Sequence, residues 1–218
     1  TIDLTLKLGG NGEGPFMEWW IDASYAVHDN MKSHTGATMS MGNGSAYSYS
    51  GSQVIMTRSS TESELVALHD VLPQVLWSNH FLAGQGYRVE ENIVYQDNKS
   101  AILLEQNGMM SSTKRTKHIN VRYFFAKDKI DSKENYVKHC PTEDMRADYF
   151  TKPLQGQQFY KLRRLIMNND LMPSNDTDRR SVLTYHNKVK DNSREVRDGS
   201  SEYGSDDGSD DVEAESND

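Results

Sequence analysis

The sequence predicts a mixed α/β fold on a five-stranded sheet flanked by helices. Three observations carry this. Three strand-like runs occur between residues 16 and 56, the apolar period then lengthens to three and four residues, and afterwards short apolar runs alternate with helical stretches. The order reads β-β-β-α-β-α-α-β-α. The first three strands suit an antiparallel meander. The fourth, which leads into a helix, is expected to lie parallel to the first after a crossover.

Residues 1–8 alternate as a strand does, and the glycine-rich residues 9–15 read as a loop. Residues 16–26, with Trp19, Trp20 and Ile21, read as a buried strand. Residues 36–41 and a segment within 46–56 follow as strands, with "GNGS" at 42–45 as the turn. Leu65, Leu68, Val71, Leu72, Val75 and Leu76 then mark an amphipathic helix over about 61–83. Pro73 is expected to kink or divide it. Residues 92–97 form a short buried strand and "NKSAILLEQ" a helix, followed by a helix at 118–131 and a strand at 135–140. Helices at 142–152 and 157–169 complete the series, and no internal repeat is present.

Composition narrows the class. The chain has 218 residues and a formal charge of -8, but Asp191–Asp218 holds 11 acidic residues against Arg194 and Arg197. That segment carries -9, so residues 1–190 carry +1. A tail of Gly, Ser, Asp and Glu cannot bury enough apolar surface to offset its ordering entropy, so disorder is expected there. The expected organisation is residues 1–15 as the end of a preceding region with its linker, 16–170 as the domain, and 171–218 as an acidic disordered tail. No run approaches the roughly 20 apolar residues of a membrane span, and the start has no signal-peptide pattern. Cys140 is the single cysteine, which leaves no disulfide framework and no cysteine-based zinc site. A reducing, intracellular setting fits. A start at Thr1 rather than Met fits a fragment or processed piece.

The carboxylates are the chemical signal. Asp22 sits in the middle of an apolar strand, where aspartate is disfavoured and an unpaired carboxylate is costly. Asp97 ends the fourth strand, Asp148 lies in a late helix, and Glu64 borders the apolar face of the long helix. Glu62 lies about 200° from Glu64 around that helix and points elsewhere. Except for Asp22, which is the least easily explained away, each has a plainer reading. Thr61-x-x-Glu64 and Ser59-x-x-Glu62 both fit a capping box. Asp97 fits an N-cap, and Asp148 a solvated helix carboxylate. Together, four carboxylates on separate elements suit two Mg²⁺ or Mn²⁺ ions about 4 Å apart, a spacing made for phosphoryl transfer.

The motifs "WWIDASYA", "MKSHTGA", "SSTESELVAL", "VYQDNKSAI", "RTKHINVRYFF" and "PTEDMRADYFTKPL" occur in that order over roughly residues 16–160. They resemble the ribonuclease H domain at the C-terminal end of copia-type retrotransposon polyproteins. The resemblance implies a ribonuclease H-like fold. It also implies metal-dependent cleavage of the RNA strand of RNA–DNA hybrids during reverse transcription, leaving a 3′-hydroxyl and a 5′-phosphate. It assigns Asp22, Glu64, Asp97 and Asp148 as catalytic metal ligands for two Mg²⁺ or Mn²⁺. It makes the reverse transcriptase of the same polyprotein a partner, and a cytoplasmic virus-like particle the setting. The alternative is a catalytically inactive nucleic-acid-binding relic or structural domain of a truncated polyprotein.

Residues 113–129 carry six Lys or Arg against one Asp. Lys114, Arg115, Lys117 and Arg122 are the candidate phosphate contacts. Recognition by backbone shape and 2′-hydroxyls suits a hybrid. Asn98 and Ser100, beside Asp97, are further candidate contacts, or merely a helix cap. His139, shortly before Asp148, is a candidate for proton transfer on product release, since imidazole titrates near neutral pH. The plainer reading is a surface histidine at a strand end. Nothing in the sequence marks His28 or His34 as ligands.

Overall fold

In the computed structural model, residues 4–10, 16–107 and 125–169 are described, and they belong to one compact unit. The five strands are β1 (Phe16–Ser24), β2 (His34–Ser40), β3 (Tyr47–Ser52), β4 (Glu91–Gln96) and β5 (Tyr136–His139). The sheet order is β3-β2-β1-β4-β5. Strands β1 to β3 form the antiparallel meander, while β4 and β5 lie parallel to β1 and β4 respectively. Both expectations for the sheet therefore hold. The helices are α1 (Ser60–Gly84), α2 (Lys99–Asn107), α3 (helical residues 125–131), α4 (Asp148–Thr151) and α5 (Gly156–Met167).

Strand alternation sorts β1 onto two cores. Met17, Trp19 and Ile21 are fully buried against Leu68, Val71, Leu72 and Val75 of α1. Trp20 faces the other side, with Cys140, Met145 and Ala147, and stacks on Tyr95 at 5.3 Å between ring centroids. The Arg146 guanidinium lies 3.8 Å over the Trp20 ring and closes that second core. Asp22 shares the Trp20 side of the strand, toward the segment that carries α4.

Three expectations need correction. Residues 4–10 form no strand: they make one isolated bridge, Gly9 to Asn43, and Lys7 N–H donates to Met167 O at 3.0 Å. Alternation alone does not make a strand where no long partner lies alongside. Pro73 does not divide α1, which runs unbroken from Ser60 to Gly84. The proline ring is on the exposed side of the helix, where water can satisfy the carbonyl that its missing N–H leaves free. The helix expected over 142–152 is instead a 3₁₀ turn at Thr142–Asp144 and the short α4, separated by Met145–Ala147. Met145 and Ala147 are fully buried there, so packing outweighs helical continuity. The expected helix at 118–131 is described only over 125–131, and the acidic tail lies outside the described residues.

Candidate active site

Local capping decides which carboxylates are free. Ser59 is the N-cap of α1: its Oγ accepts from Glu62 N–H at 3.2 Å, and Glu62 Oε2 accepts from Arg58 N–H at 2.7 Å. The capping arrangement thus uses Ser59 and Glu62, leaving Glu64 to turn inward. Asn98, not Asp97, caps α2, accepting from the N–H groups of Ser100 and Ala101 at 3.0 and 3.1 Å. Gln53 then pins the start of α1 to the sheet. Its Nε2 donates to Thr35 Oγ1 at 3.0 Å and to Ser63 O at 2.9 Å.

Asp22 near the end of β1, Asp97 just past β4 and Asp148 at the start of α4 converge, with carboxylate oxygens all within 4.8 Å of one another. Asp22, Glu64 and Asp148 are buried and Asp97 is half-buried. Burial is the main cause that pushes the Asp22 carboxyl above its usual range. It pushes Glu64 well above, with Asp22 and Asp97 adding repulsion. Asp148 is pushed up to about 6, by burial first and by Asp22 second. The backbone N–H of Ala23 favours ionised Glu64 and so brings that carboxyl beside the end of β1.

The sequence reading missed three members of this cluster. Lys152 Nζ lies 2.7 Å from Asp148 Oδ1 and 3.7 Å from Asp22 Oδ1, and these carboxylates hold its ammonium above the usual lysine range despite burial. Thr151 Oγ1 donates to Asp22 Oδ2, and Thr142 Oγ1 donates to Asp97 Oδ2 at 3.2 Å. The i,i+4 spacing of Asp148 and Lys152 was the available signal.

Gly36, opposite Asp22 on β2, sets how close α4 comes. A Cβ there would lie 2.5 Å from Thr151 Cγ2 and 3.0 Å from both Ala147 O and Phe150 Cβ. Gly36→Ala is therefore expected to push α4 off the sheet and cost about 1–3 kcal/mol by overpacking. Urea denaturation checks this, and an unchanged midpoint would show that α4 yields freely.

The remaining candidates are placed as follows. His139 is exposed at the end of β5, opposite Gln96 and so one residue from Asp97 in register. Ser100 is exposed on the first turn of α2. Lys114, Arg115, Lys117 and Arg122 lie outside the described residues. Burial pushes the Cys140 thiol up to about 11, which makes it a poor nucleophile.

The donor set fits a hard divalent cation. It is all oxygen, and Glu64 Oε2 is buried without a hydrogen-bond partner among the described residues. An ionised carboxylate left so is costly unless it is paired or coordinates a metal.

No protein-family model matches the chain. The chain is 32% identical over 156 residues to the retrovirus-related Pol polyprotein from transposon TNT 1-94 of Nicotiana tabacum, a match over 71% of this chain and 12% of that polyprotein. It is 33% identical over 105 residues to the corresponding polyprotein from transposon RE1 of Arabidopsis thaliana, covering 48% of this chain and 7% of the relative. The chain thus spans about an eighth or less of the length of these curated relatives. Among solved structures, it is similar to the LC11 ribonuclease H1 isolated from compost, at TM-score 0.46 and 16% identity over 62% of this chain and 92% of that one. It is also similar to the prototype foamy virus protease-reverse transcriptase, at TM-score 0.39 and 8% identity over 77% of this chain and 23% of that one. The sheet order derived above is that of a ribonuclease H-like fold, and the chain is homologous to one segment of the retrovirus-related Pol polyproteins of copia-type transposons.

Proposed function

We propose that this chain is a ribonuclease H domain that hydrolyses the RNA strand of RNA–DNA hybrids with two Mg²⁺ or Mn²⁺ ions. The observation that carries the reading is the convergence of Asp22, Asp97 and Asp148 from three separate elements within 4.8 Å, with buried Glu64 electrostatically coupled to two of them. In this reading Asp22, Glu64, Asp97 and Asp148 hold the cations. Bound there, such cations activate water and neutralise charge at the scissile phosphate. The four side chains come from a strand, a strand end and two helices, so the sheet preorganises them. Lys152 balances the cluster's charge when no cation is present. In this reading His139, exposed beside the end of β4, carries a proton away with product. Lys114, Arg115, Lys117 and Arg122, with Asn98 and Ser100, contact the hybrid backbone.

The proposed domain spans residues 16–170, working beside the reverse transcriptase of the same polyprotein in a cytoplasmic virus-like particle. Residues 171–218 are proposed as an acidic appendage. Among the described residues no helix is long and apolar enough to cross a membrane. A second reading, a non-catalytic nucleic-acid-binding relic, draws on the Lys152 ammonium seated among the carboxylates.

The test is cleavage of a labelled RNA–DNA hybrid, with double-stranded RNA and double-stranded DNA as controls. Expected is hybrid-only cleavage in Mg²⁺ or Mn²⁺, abolished by chelation and restored by adding the metal back. Binding of hybrid without cleavage in either metal would select the relic.

A further inference from the structure

A second cluster of metal-binding groups lies apart from the carboxylates. His28, in the turn after β1, and His34, which opens β2, are half-buried and face each other with Nε2 of His28 3.0 Å from Nδ1 of His34. The proton positions follow from the next links. Ser50 Oγ–H donates to Phe150 O at 2.8 Å, so Ser50 has no second proton to give. His34 Nε2, 2.8 Å from Ser50 Oγ, must therefore be the donor to it. Neutral His34 then has its lone pair on Nδ1, and His28 Nε2–H donates to that lone pair.

We infer that His28 and His34 form a two-imidazole site for a borderline divalent cation of the Zn²⁺ or Cu²⁺ class. Imidazole nitrogen selects such ions over Mg²⁺, which prefers oxygen. His34 already has the arrangement of a metal ligand: one ring nitrogen offers a lone pair, while the other N–H is held by an oriented oxygen. The cation replaces the shared proton. That proton moves from Nε2 to Nδ1 of His28, so a neutral pair binds without net proton loss. His28 sits on an exposed turn and can rotate until both lone pairs converge, while His34 stays anchored by Ser50. No third His, Cys, Asp or Glu joins the pair among the described residues, so water completes the coordination. The Ser50 link ends on the carbonyl of Phe150, next to Thr151, which bonds Asp22. Occupancy would thus brace α4 against β3.

The test uses the full chain with Cu²⁺ alone, followed by electron paramagnetic resonance. Expected is a stoichiometric Cu²⁺ signal with coupling to two imidazole nitrogens. It should be lost in His28→Asn and in His34→Asn and kept in Asp97→Asn, with circular dichroism reporting the fold of each variant. Independently of any variant, one equivalent of Zn²⁺ should shift the imidazole resonances of His28 and His34 in the wild-type spectrum. An unchanged copper signal in His28→Asn, or His28 and His34 resonances that ignore Zn²⁺, would overturn the site and leave the pair as a hydrogen-bond relay only. Neither readout depends on hybrid cleavage, so this inference and the proposed activity can fail separately.

Discussion

Asp97→Asn is expected to lower metal-dependent hybrid cleavage by about 100-fold or more, since one ligand of a cation that stabilises transition-state charge is worth several kcal/mol. The same change should make the metal-free protein slightly more stable. Asp97 repels Asp22, Glu64 and Asp148 and contributes to holding all three carboxyls above their usual range. An uncharged amide relieves that repulsion, the usual trade between a strained site and stability. The pH dependence has a definite sign. Asp148 binds its proton more tightly folded than unfolded, with a folded value of about 6 against an ordinary 3.8. Metal-free stability therefore falls as pH rises through that window. Added Mg²⁺ should flatten this fall in the wild type, by binding only the folded state, and much less in Asp97→Asn. Melting curves at pH 4 and pH 7, with and without Mg²⁺, read all of this. Equal Mg²⁺ stabilisation of both proteins would remove Asp97 from the metal site.

Glu105→Gln is expected to change the pH dependence of stability more than any other single substitution away from the carboxylate cluster. Glu105 lies in α2 with no exposed surface, beside the equally buried Gln96 at the end of β4. Neither carboxyl oxygen of Glu105, nor either polar side-chain atom of Gln96, has a well-formed hydrogen bond among the described residues. Burial pushes the Glu105 carboxyl up to about 8, with the nearby Gln96 amide only partly opposing it. The folded state thus keeps a proton that the unfolded chain releases near the ordinary glutamate value. Stability falls as pH rises from about 4.5 to about 8, by a few kcal/mol in all. Glutamine cannot ionise. The variant should match the wild type within about 1 kcal/mol at pH 5 and exceed it by a few kcal/mol at pH 9. Urea midpoints at the two pH values measure the difference, and the carboxylate cluster cancels because both proteins contain it. Parallel pH profiles would mean that Glu105 is solvated or paired in solution.

The sheet was legible from sequence because burial imposes a period. A strand buried on both faces, such as β1, reads as an apolar run interrupted only by Glu18 and Asp22, and the start of α1 could be located from its hydroxyl caps. The break between the 3₁₀ turn and α4 was not legible. Nothing in "PTEDMRADYFTK" forbids a continuous helix, and the interruption comes from burying Met145 and Ala147 under Trp20. The Gln96–Glu105 pair was equally hidden, since a glutamate in "NKSAILLEQ" looks like any helix-surface charge until the fold buries it beside Gln96.

By itself the sequence determined the order of the five sheet strands, the meander and crossover, and singled out Asp22, Asp97 and Asp148, which the fold brings together. Mid-strand Asp22 was conspicuous because local chemistry disfavours it there. Only the tertiary structure decided which acid was a cap and which was free, because Ser59 with Glu62 and Asn98 took the capping roles from residues with the same spacing. It also brought in Lys152 and Thr151, buried Glu105 beside Gln96, and set His28 against His34. These are relations between side chains far apart in the chain or on different elements. Backbone pairing and close approach, such as that allowed by Gly36, create them, and apart from the i,i+4 spacing of Asp148 and Lys152 no local pattern encodes them.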